Sequence, residues 1–232
     1  MRALLLSNST NYGATYMEHA KEAISNFLGN TKEILFVPYA GVTVDYETYT
    51  NTVQKTLQPF GIKITSIHTH KDPKQAIENA QAIAVGGGNT FRLVQLLQEY
   101  DLIDTIRNAT AKAIPYIGWS AGSNVAGPTL CTTNDMPIVQ PKSFDCLNLV
   151  PYQINPHYSE TTVPNHGGES RKARIMEYIT LSKTDVVCLP EGSWLQCEGD
   201  VTTYHGGESM KVYSHPDQVI DFEPTEAHSY FK

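Results

Sequence analysis

One pentapeptide in this chain of 232 residues has the residue types and spacing of a nucleophile: Gly118-Trp119-Ser120-Ala121-Gly122, a G-x-S-x-G motif. It follows the apolar run Ile114 to Ile117 and precedes small residues able to start a helix, the strand–turn–helix setting that the motif requires. A serine at such a turn projects its hydroxyl outward, and small neighbours let the backbone bend without Cβ clashes. The next backbone N–H, from Ala121, then faces a developing oxyanion. On the pentapeptide alone, a packing turn with an idle serine stays open as an alternative.

A serine hydroxyl is a weak nucleophile until a base takes its proton. Of the eight histidines, His157 leads on local context. It closes Gln153-Ile154-Asn155-Pro156-His157, a short apolar strand followed by a proline that fixes the backbone. His19 reads as a surface residue of a helix. His68 and His70 form an H-x-H pair with no third ligand nearby in sequence. His166 and His205 open two copies of His-Gly-Gly-Glu-Ser, read as glycine turns. His215 and His228 lie in a polar tail.

A third group must hold the imidazole in the right tautomer. Glu191 follows the apolar strand Val186 to Leu189, between Pro190 and Gly192, at the rim where strand carboxyl ends gather ligands. Asp135, in Thr132-Thr133-Asn134-Asp135-Met136, competes from a loop after the nucleophile, and spacing does not separate the two. Gly86-Gly87-Gly88-Asn89-Thr90 follows a buried strand and opens a helix, but lacks the Gly-Lys-Ser/Thr of a P-loop and the third glycine of G-x-G-x-x-G. Its glycines let backbone approach a ligand, so Gly88 is the candidate second oxyanion donor beside Ala121. Asn89, next to it, is a candidate substrate contact.

These residues need a scaffold that brings strand ends together. The first two-thirds of the chain alternates short apolar runs with amphipathic stretches, the pattern of βαβ units around a parallel sheet. Strands are predicted at Ala3–Leu6, Ile34–Pro38, Ile62–Ile67, Ala82–Val85 and Ile114–Trp119. Helices are predicted at Tyr16–Leu28, around Tyr46 to Leu57, at Pro73–Asn79 behind the capping Asp72, and at Thr90–Tyr100 and Leu102–Ala113. Pro128, Pro137, Pro141, Pro151 and Pro156 then break the regularity into short strands and loops. A helix at Glu169–Leu181, a strand at Asp185–Leu189 and a hairpin of Trp194–Cys197 with Val201–Tyr204 complete one α/β domain over residues 1–232.

Composition narrows the partners. With 17 Lys and Arg against 24 Asp and Glu, the net charge of −7 and the lack of a basic cluster argue against nucleic acid. No apolar run approaches the roughly 20 residues of a membrane span, and the apolar stretch at the N-terminus is too short for an export signal. The four cysteines have no zinc-ligand spacing and read as reduced thiols of a cytoplasmic protein.

Read together, Leu4-Leu-Leu-Ser-Asn-Ser-Thr10, Pro38-Tyr-Ala-Gly-Val-Thr43, Val85-Gly-Gly-Gly-Asn-Thr-Phe91, Tyr116-Ile-Gly-Trp-Ser-Ala-Gly122, Thr132-Thr-Asn-Asp-Met-Pro-Ile-Val139, Gln153-Ile-Asn-Pro-His157 and Leu189-Pro-Glu-Gly192 resemble the peptidase E, or α-aspartyl dipeptidase, family. The blocks occur in order from Leu4 to about Trp194. The resemblance implies a cytoplasmic serine peptidase that cleaves after an N-terminal aspartate, on a doubly wound, mainly parallel sheet similar to class I glutamine amidotransferases. It implies Ser120 as nucleophile, His157 as base and Glu191 or Asp135 as the acid. Arg171, at a helix start, matches an arginine of the family and would hold the aspartyl carboxylate as a bidentate fork. Glu169 and Asp135 would meet the substrate's free amine. No metal or cofactor is expected, and the chain would act as a monomer or small homo-oligomer on small peptides. An esterase or amidase on acidic acyl groups would share this machinery, and a non-catalytic module binding a small anion through the glycine loop is the reading without chemistry.

Overall fold

The computed structural model describes residues 1–161, 167–216, 218–224 and, for backbone only, 227–228; His166, expected in a glycine turn, lies outside them. In chain order its strands are β1 (Arg2–Leu6), β2 (Glu33–Val37), β3 (Lys63–Ser66), β4 (Ile83–Val85), β5 (Tyr116–Trp119), β6 (Gln153–Asn155), β7 (Val186–Cys188), β8 (Trp194–Glu198), β9 (Val201–His205), β10 (Met210–Ser214), β11 (Gln218–Phe222) and β12 (Ala227–His228). Its helices are α1 (Lys21–Leu28), α2 (Tyr46–Leu57), α3 (Pro73–Glu78), α4 (Thr90–Glu99), α5 (Ile103–Ala111), α6 (Ala121–Asn124) and α7 (Arg171–Ser182). None of the described helices is long and apolar enough to cross a membrane.

The fold is mixed α/β around a mostly parallel sheet. Eight strands lie in the order β12-β9-β8-β1-β5-β4-β2-β3. The five from β1 to β3 run parallel, and β8, β9 and β12 extend the β1 edge antiparallel. The central runs are apolar at every position because both faces are covered. Ala3, Leu5, Leu35, Val37, Ile83 and Val85 pack on one side with Leu93, Val94 and Leu97 of α4 and Ile106 of α5. Leu4, Leu6, Ile34, Phe36 and Ile117 pack on the other with Ile24 and Phe27 of α1 and Tyr49, Val53 and Leu57 of α2. Each such large side chain contributes ~1.5–3 kcal/mol when fully buried.

A second sheet, in the order β11-β10-β7-β6, pairs β6 with β7 in parallel. The strand expected around Asp185–Leu189 therefore belongs to this smaller sheet. Ile154, Val187, Leu189, Val212 and Phe222 nevertheless share one core with β1 and β5.

Two helix starts lie two or more residues from where the periodicity puts them. The helix expected from Tyr16 starts at Lys21, because Met17 takes a positive φ of 54° and donates its N–H to Ser9 C=O, folding residues 12–20 into turns. His19 thus precedes the helix, half-buried, its ring 6.5 Å from that of Trp194. Helix α7 begins at Arg171 instead of Glu169, because the Ser170 hydroxyl accepts the Ala173 N–H and caps it.

The strand-to-helix turn after β5 depends on contact between backbones. A Cβ on Gly122 would sit 2.0 Å from Val85 O, and one on Gly118 would sit 2.5 Å from Gly122 O. Helix α6 can lie against β4 and β5 only with glycine at these points. Gly122→Ala should therefore destabilise the fold by at least ~2 kcal/mol, as overpacking against rigid backbone does. Gly207→Ala, which points into open space, should stay within ~0.5 kcal/mol. Urea midpoints of the two variants check this.

Candidate active site

The carboxyl ends of β5, β6 and β7 converge on one rim. Ser120 is the first residue past β5, while His157 and Glu191 lie just beyond β6 and β7, which are parallel neighbours. His157 Nε2 stands 2.8 Å from Ser120 Oγ, and His157 Nδ1 stands 2.9 Å from Glu191 Oε1. A carboxylate only accepts, so the imidazole proton is assigned to Nδ1 and the Nε2 lone pair faces the hydroxyl. The Glu191 side chain is 53% exposed and that of His157 38% exposed. Solvent therefore reaches the outer end of the relay.

Two of these residues hold backbone conformations that side chains rarely adopt. Ser120 has φ 53° and ψ −113°, and His157 has φ 54°. Such positions cost about 1–3 kcal/mol each and persist only where the surroundings enforce them. At Ser120 the enforcement comes from its N–H bonded to Leu6 C=O (3.2 Å), the Ser123 hydroxyl donating to the same carbonyl (2.6 Å) and the Tyr116 hydroxyl donating to Gly122 C=O (2.7 Å). At His157 it comes from Ser7. This hydroxyl accepts the His157 N–H and donates to Leu189 C=O, both at 2.9 Å, tying the end of β1 to the ends of β6 and β7. Asn8 Oδ1 accepts the Gly192 N–H at 2.8 Å, which steadies the chain beside Glu191. Sequence reasoning missed Ser7. The available signal was a hydroxyl placed directly after the apolar run of β1.

This arrangement agrees with what the sequence as a whole resembles. The profile of Peptidase family S51 matches residues 3–204. The chain belongs to peptidase family S51. It is 46% identical over 225 residues to "Peptidase E" of a Nostoc species, covering 96% of this chain and 93% of that one. It is 48% identical over 221 residues to "Peptidase E" of Shewanella denitrificans, covering 95% and 94% of the two chains. Among solved structures, its fold is similar to that of a putative peptidase E protein from Listeria monocytogenes EGD-e, with a TM-score of 0.70 and 22% identity over 89% of this chain and 98% of that one. It is also similar to a peptidase from an acI-B1 Actinobacterium, with a TM-score of 0.73 and 15% identity over 99% and 96%.

Around the S51 elbow, the remaining candidates fall into two groups. Gly88, at φ 134°, passes so close to Ala40 that a Cβ would sit 2.2 Å from its carbonyl oxygen. The Ala121 N–H, first in α6, has no intrahelical acceptor. Asn89 caps α4: its Oδ1 accepts the Arg92 N–H at 3.0 Å and its Nδ2 donates to Met136 C=O at 2.8 Å. Its amide is thus occupied at both ends.

Among the described residues, the Asp135 carboxylate bonds to Thr90 and Thr133 and not to His157. Its Oδ2 accepts the Thr90 N–H (2.7 Å), the Thr90 hydroxyl (2.6 Å) and the Thr133 hydroxyl (3.0 Å). It shares with Asn134, Asn155, Arg171, Arg174 and Tyr178 the wall of a cavity of about 270 Å³. Arg171 Nη1 donates to Asn155 Oδ1 (3.5 Å) and His157 C=O (3.4 Å), and among the described residues it forms no salt bridge. Burial, then the neighbouring Arg174, pulls its pKa below the ordinary guanidinium value. Glu169 is exposed ahead of α7. His68 Nδ1 is taken by the Ser66 hydroxyl at 2.6 Å, and among the described residues no three His, Cys, Asp or Glu side chains group as metal ligands would.

The two carboxylates have different partners, so their variants should differ. Glu191→Gln should lower kcat by orders of magnitude, approaching the ~10⁴-fold loss seen when a triad carboxylate becomes an amide. Asp135→Asn should act mainly on KM and lower the thermal midpoint through the weakened α4 N-terminus. Steady-state kinetics with thermal unfolding of both variants checks the assignment, and the reverse pattern would move the acid to Asp135.

Proposed function

We propose that this chain is a serine dipeptidase that removes an N-terminal aspartate from Asp-X peptides through an acyl-enzyme. The observation that carries the reading is the relay from Glu191 through His157 to Ser120, at 2.9 and 2.8 Å. His157 Nε2 takes the hydroxyl proton as Ser120 Oγ attacks the aspartyl carbonyl, and Glu191 stabilises the imidazolium that forms. The N–H groups of Gly88 and Ala121 receive the oxyanion. His157 then returns the proton to the leaving amine, and water, activated by the same base, hydrolyses the ester.

Substrate choice follows from the cavity beside the relay. Arg171, half-buried and without a carboxylate partner among the described residues, takes the aspartyl side chain. All three bonds to Asp135 converge on Oδ2, so Oδ1 takes the substrate α-ammonium, helped by the exposed Glu169. Asn89 serves as a positioning residue through Met136 and α4. The shared core of the two sheets supports one domain over residues 1–232. The motif resemblance extends the reading to a doubly wound fold like that of class I glutamine amidotransferases, with serine where those carry cysteine. The four free thiols support a cytoplasmic location.

One substrate panel tests the reading. The wild type should cleave Asp-Leu and leave Leu-Asp intact, and Ser120→Ala should be inactive while still folded. Arg171→Met should lose roughly 10- to 150-fold in kcat/KM on Asp-Leu, equivalent to a charge-assisted hydrogen bond of ~1.5–3 kcal/mol, with little change on Asn-Leu. Equal losses on both substrates would make Arg171 a structural residue. Turnover of aspartyl esters without turnover of Asp-Leu would favour the esterase instead.

A further inference from the structure

The elbow at Ser120 and the glycine loop that carries Gly88 come from different strand ends, β5 and β4. One buried side chain touches both. Tyr49, on the inner face of α2, donates its hydroxyl proton to Gly87 C=O at 3.0 Å and accepts the indole N–H of Trp119 at 2.9 Å. The directions are fixed by chemistry, since a carbonyl only accepts and an indole N–H only donates. Trp119 is the residue directly before the nucleophile.

Gly87 C=O and Gly88 N–H belong to the same peptide group. In a trans peptide these two bonds point in opposite directions within one rigid plane. Holding the carbonyl oxygen toward Tyr49 therefore fixes where the Gly88 N–H points. The glycines on either side suit such a clamp. A Cβ on Gly86 would lie 2.7 Å from the Tyr49 hydroxyl and 3.0 Å from the Phe36 ring, and one on Gly87 would lie 3.0 Å from Ser120 Cβ. The triple glycine thus lets its backbone contact the tyrosine on one side and the elbow on the other.

We infer that Tyr49 is a positioning residue for the oxyanion site, locking the Gly87–Gly88 peptide to the elbow through Trp119. The inference rests on the proposed role of Gly88 N–H. Phe36 supports the clamp by stacking on Trp119 (centroids 5.5 Å apart) and meeting Tyr49 edge-on (5.0 Å). Burial raises the Tyr49 pKa, which keeps the hydroxyl a donor. A buried hydroxyl on an apolar helix face would otherwise be a needless cost, since phenylalanine fills the same space.

Tyr49→Phe keeps the ring and removes the clamp. It should lower kcat on Asp-Leu by roughly tenfold or more, less than the 10²–10³-fold loss on deleting an oxyanion donor, and leave KM near wild type. Two inhibitors separate positioning from general damage. An aspartyl aldehyde accepts Ser120 Oγ at its carbonyl carbon, the π electrons moving to oxygen and the serine proton to His157, so its hemiacetal needs the oxyanion donors. Free aspartate does not. Aldehyde affinity should fall in step with kcat/KM while aspartate affinity holds. Trp119→Phe removes the indole donor and also shrinks a fully buried ring stacked on Phe36, so only its selective loss of aldehyde over aspartate affinity reads the clamp, and that comparison carries the test if Tyr49→Phe fails to fold.

Wild-type kcat in Tyr49→Phe, or equal losses of aldehyde and aspartate affinity, would overturn the inference. Labelling of wild-type Ser120 by a fluorophosphonate, run alongside, keeps the two levels distinct. A labelled, active wild type beside an unaffected Tyr49→Phe would refute the clamp alone, whereas an unlabelled wild type would refute the proposed function with it.

Discussion

The structure turns on a backbone conformation that its own residue disfavours. Ser120 is held at φ 53° and ψ −113°, in a region that costs about 1–3 kcal/mol for a residue with a side chain. What maintains it is close backbone contact, Gly122 against Val85 and the Leu6 carbonyl accepting the Ser120 N–H, joined by two hydroxyls that donate to backbone carbonyls, Ser123 to Leu6 and Tyr116 to Gly122. Those partners sit on β1, β4 and β5. The core that secures these strands from both faces is therefore also what keeps the serine exposed to its histidine.

The second sheet brings the rest of the relay to that point. Parallel pairing of β6 with β7 places the segments carrying His157 and Glu191 side by side, and the Ser7 hydroxyl joins both to the end of β1. The candidate site of this S51 chain thus draws on strand ends from both sheets. In a chain of net charge −7, the two arginines lining the adjoining cavity form a local exception. Field lines in a partly enclosed pocket make such a pair matter more to an anionic substrate than the overall charge does.

Much of this was legible in the sequence because it is written in local patterns. Strands buried on both faces read as unbroken apolar runs, and the G-x-S-x-G turn announced its own context. Glu191 and His157 could be located at strand ends. Which carboxylate faces the imidazole could not, because Asp135 and Glu191 have similar local settings and differ only in distant partners, Thr90 for one and His157 for the other. The second sheet escaped notice because β6 and β7 are three residues each and pair across a long separation. Tyr49 read as one more apolar position on a helix face, since its hydroxyl partners lie 38 and 70 residues away. Helix starts at Lys21 and Arg171 were set by a positive φ and a serine cap, neither of which hydrophobic spacing reports.

The proposed chemistry requires a covalent aspartyl ester at Ser120. Rapid acid quench of the wild type during turnover of Asp-Leu, followed by intact-mass and peptide-mapping analysis, examines that bond directly. The account predicts a fraction of enzyme heavier by one aspartyl group, located on the peptide containing Ser120 and absent from Ser120→Ala. A modification on another residue, or the same adduct in Ser120→Ala, would contradict it.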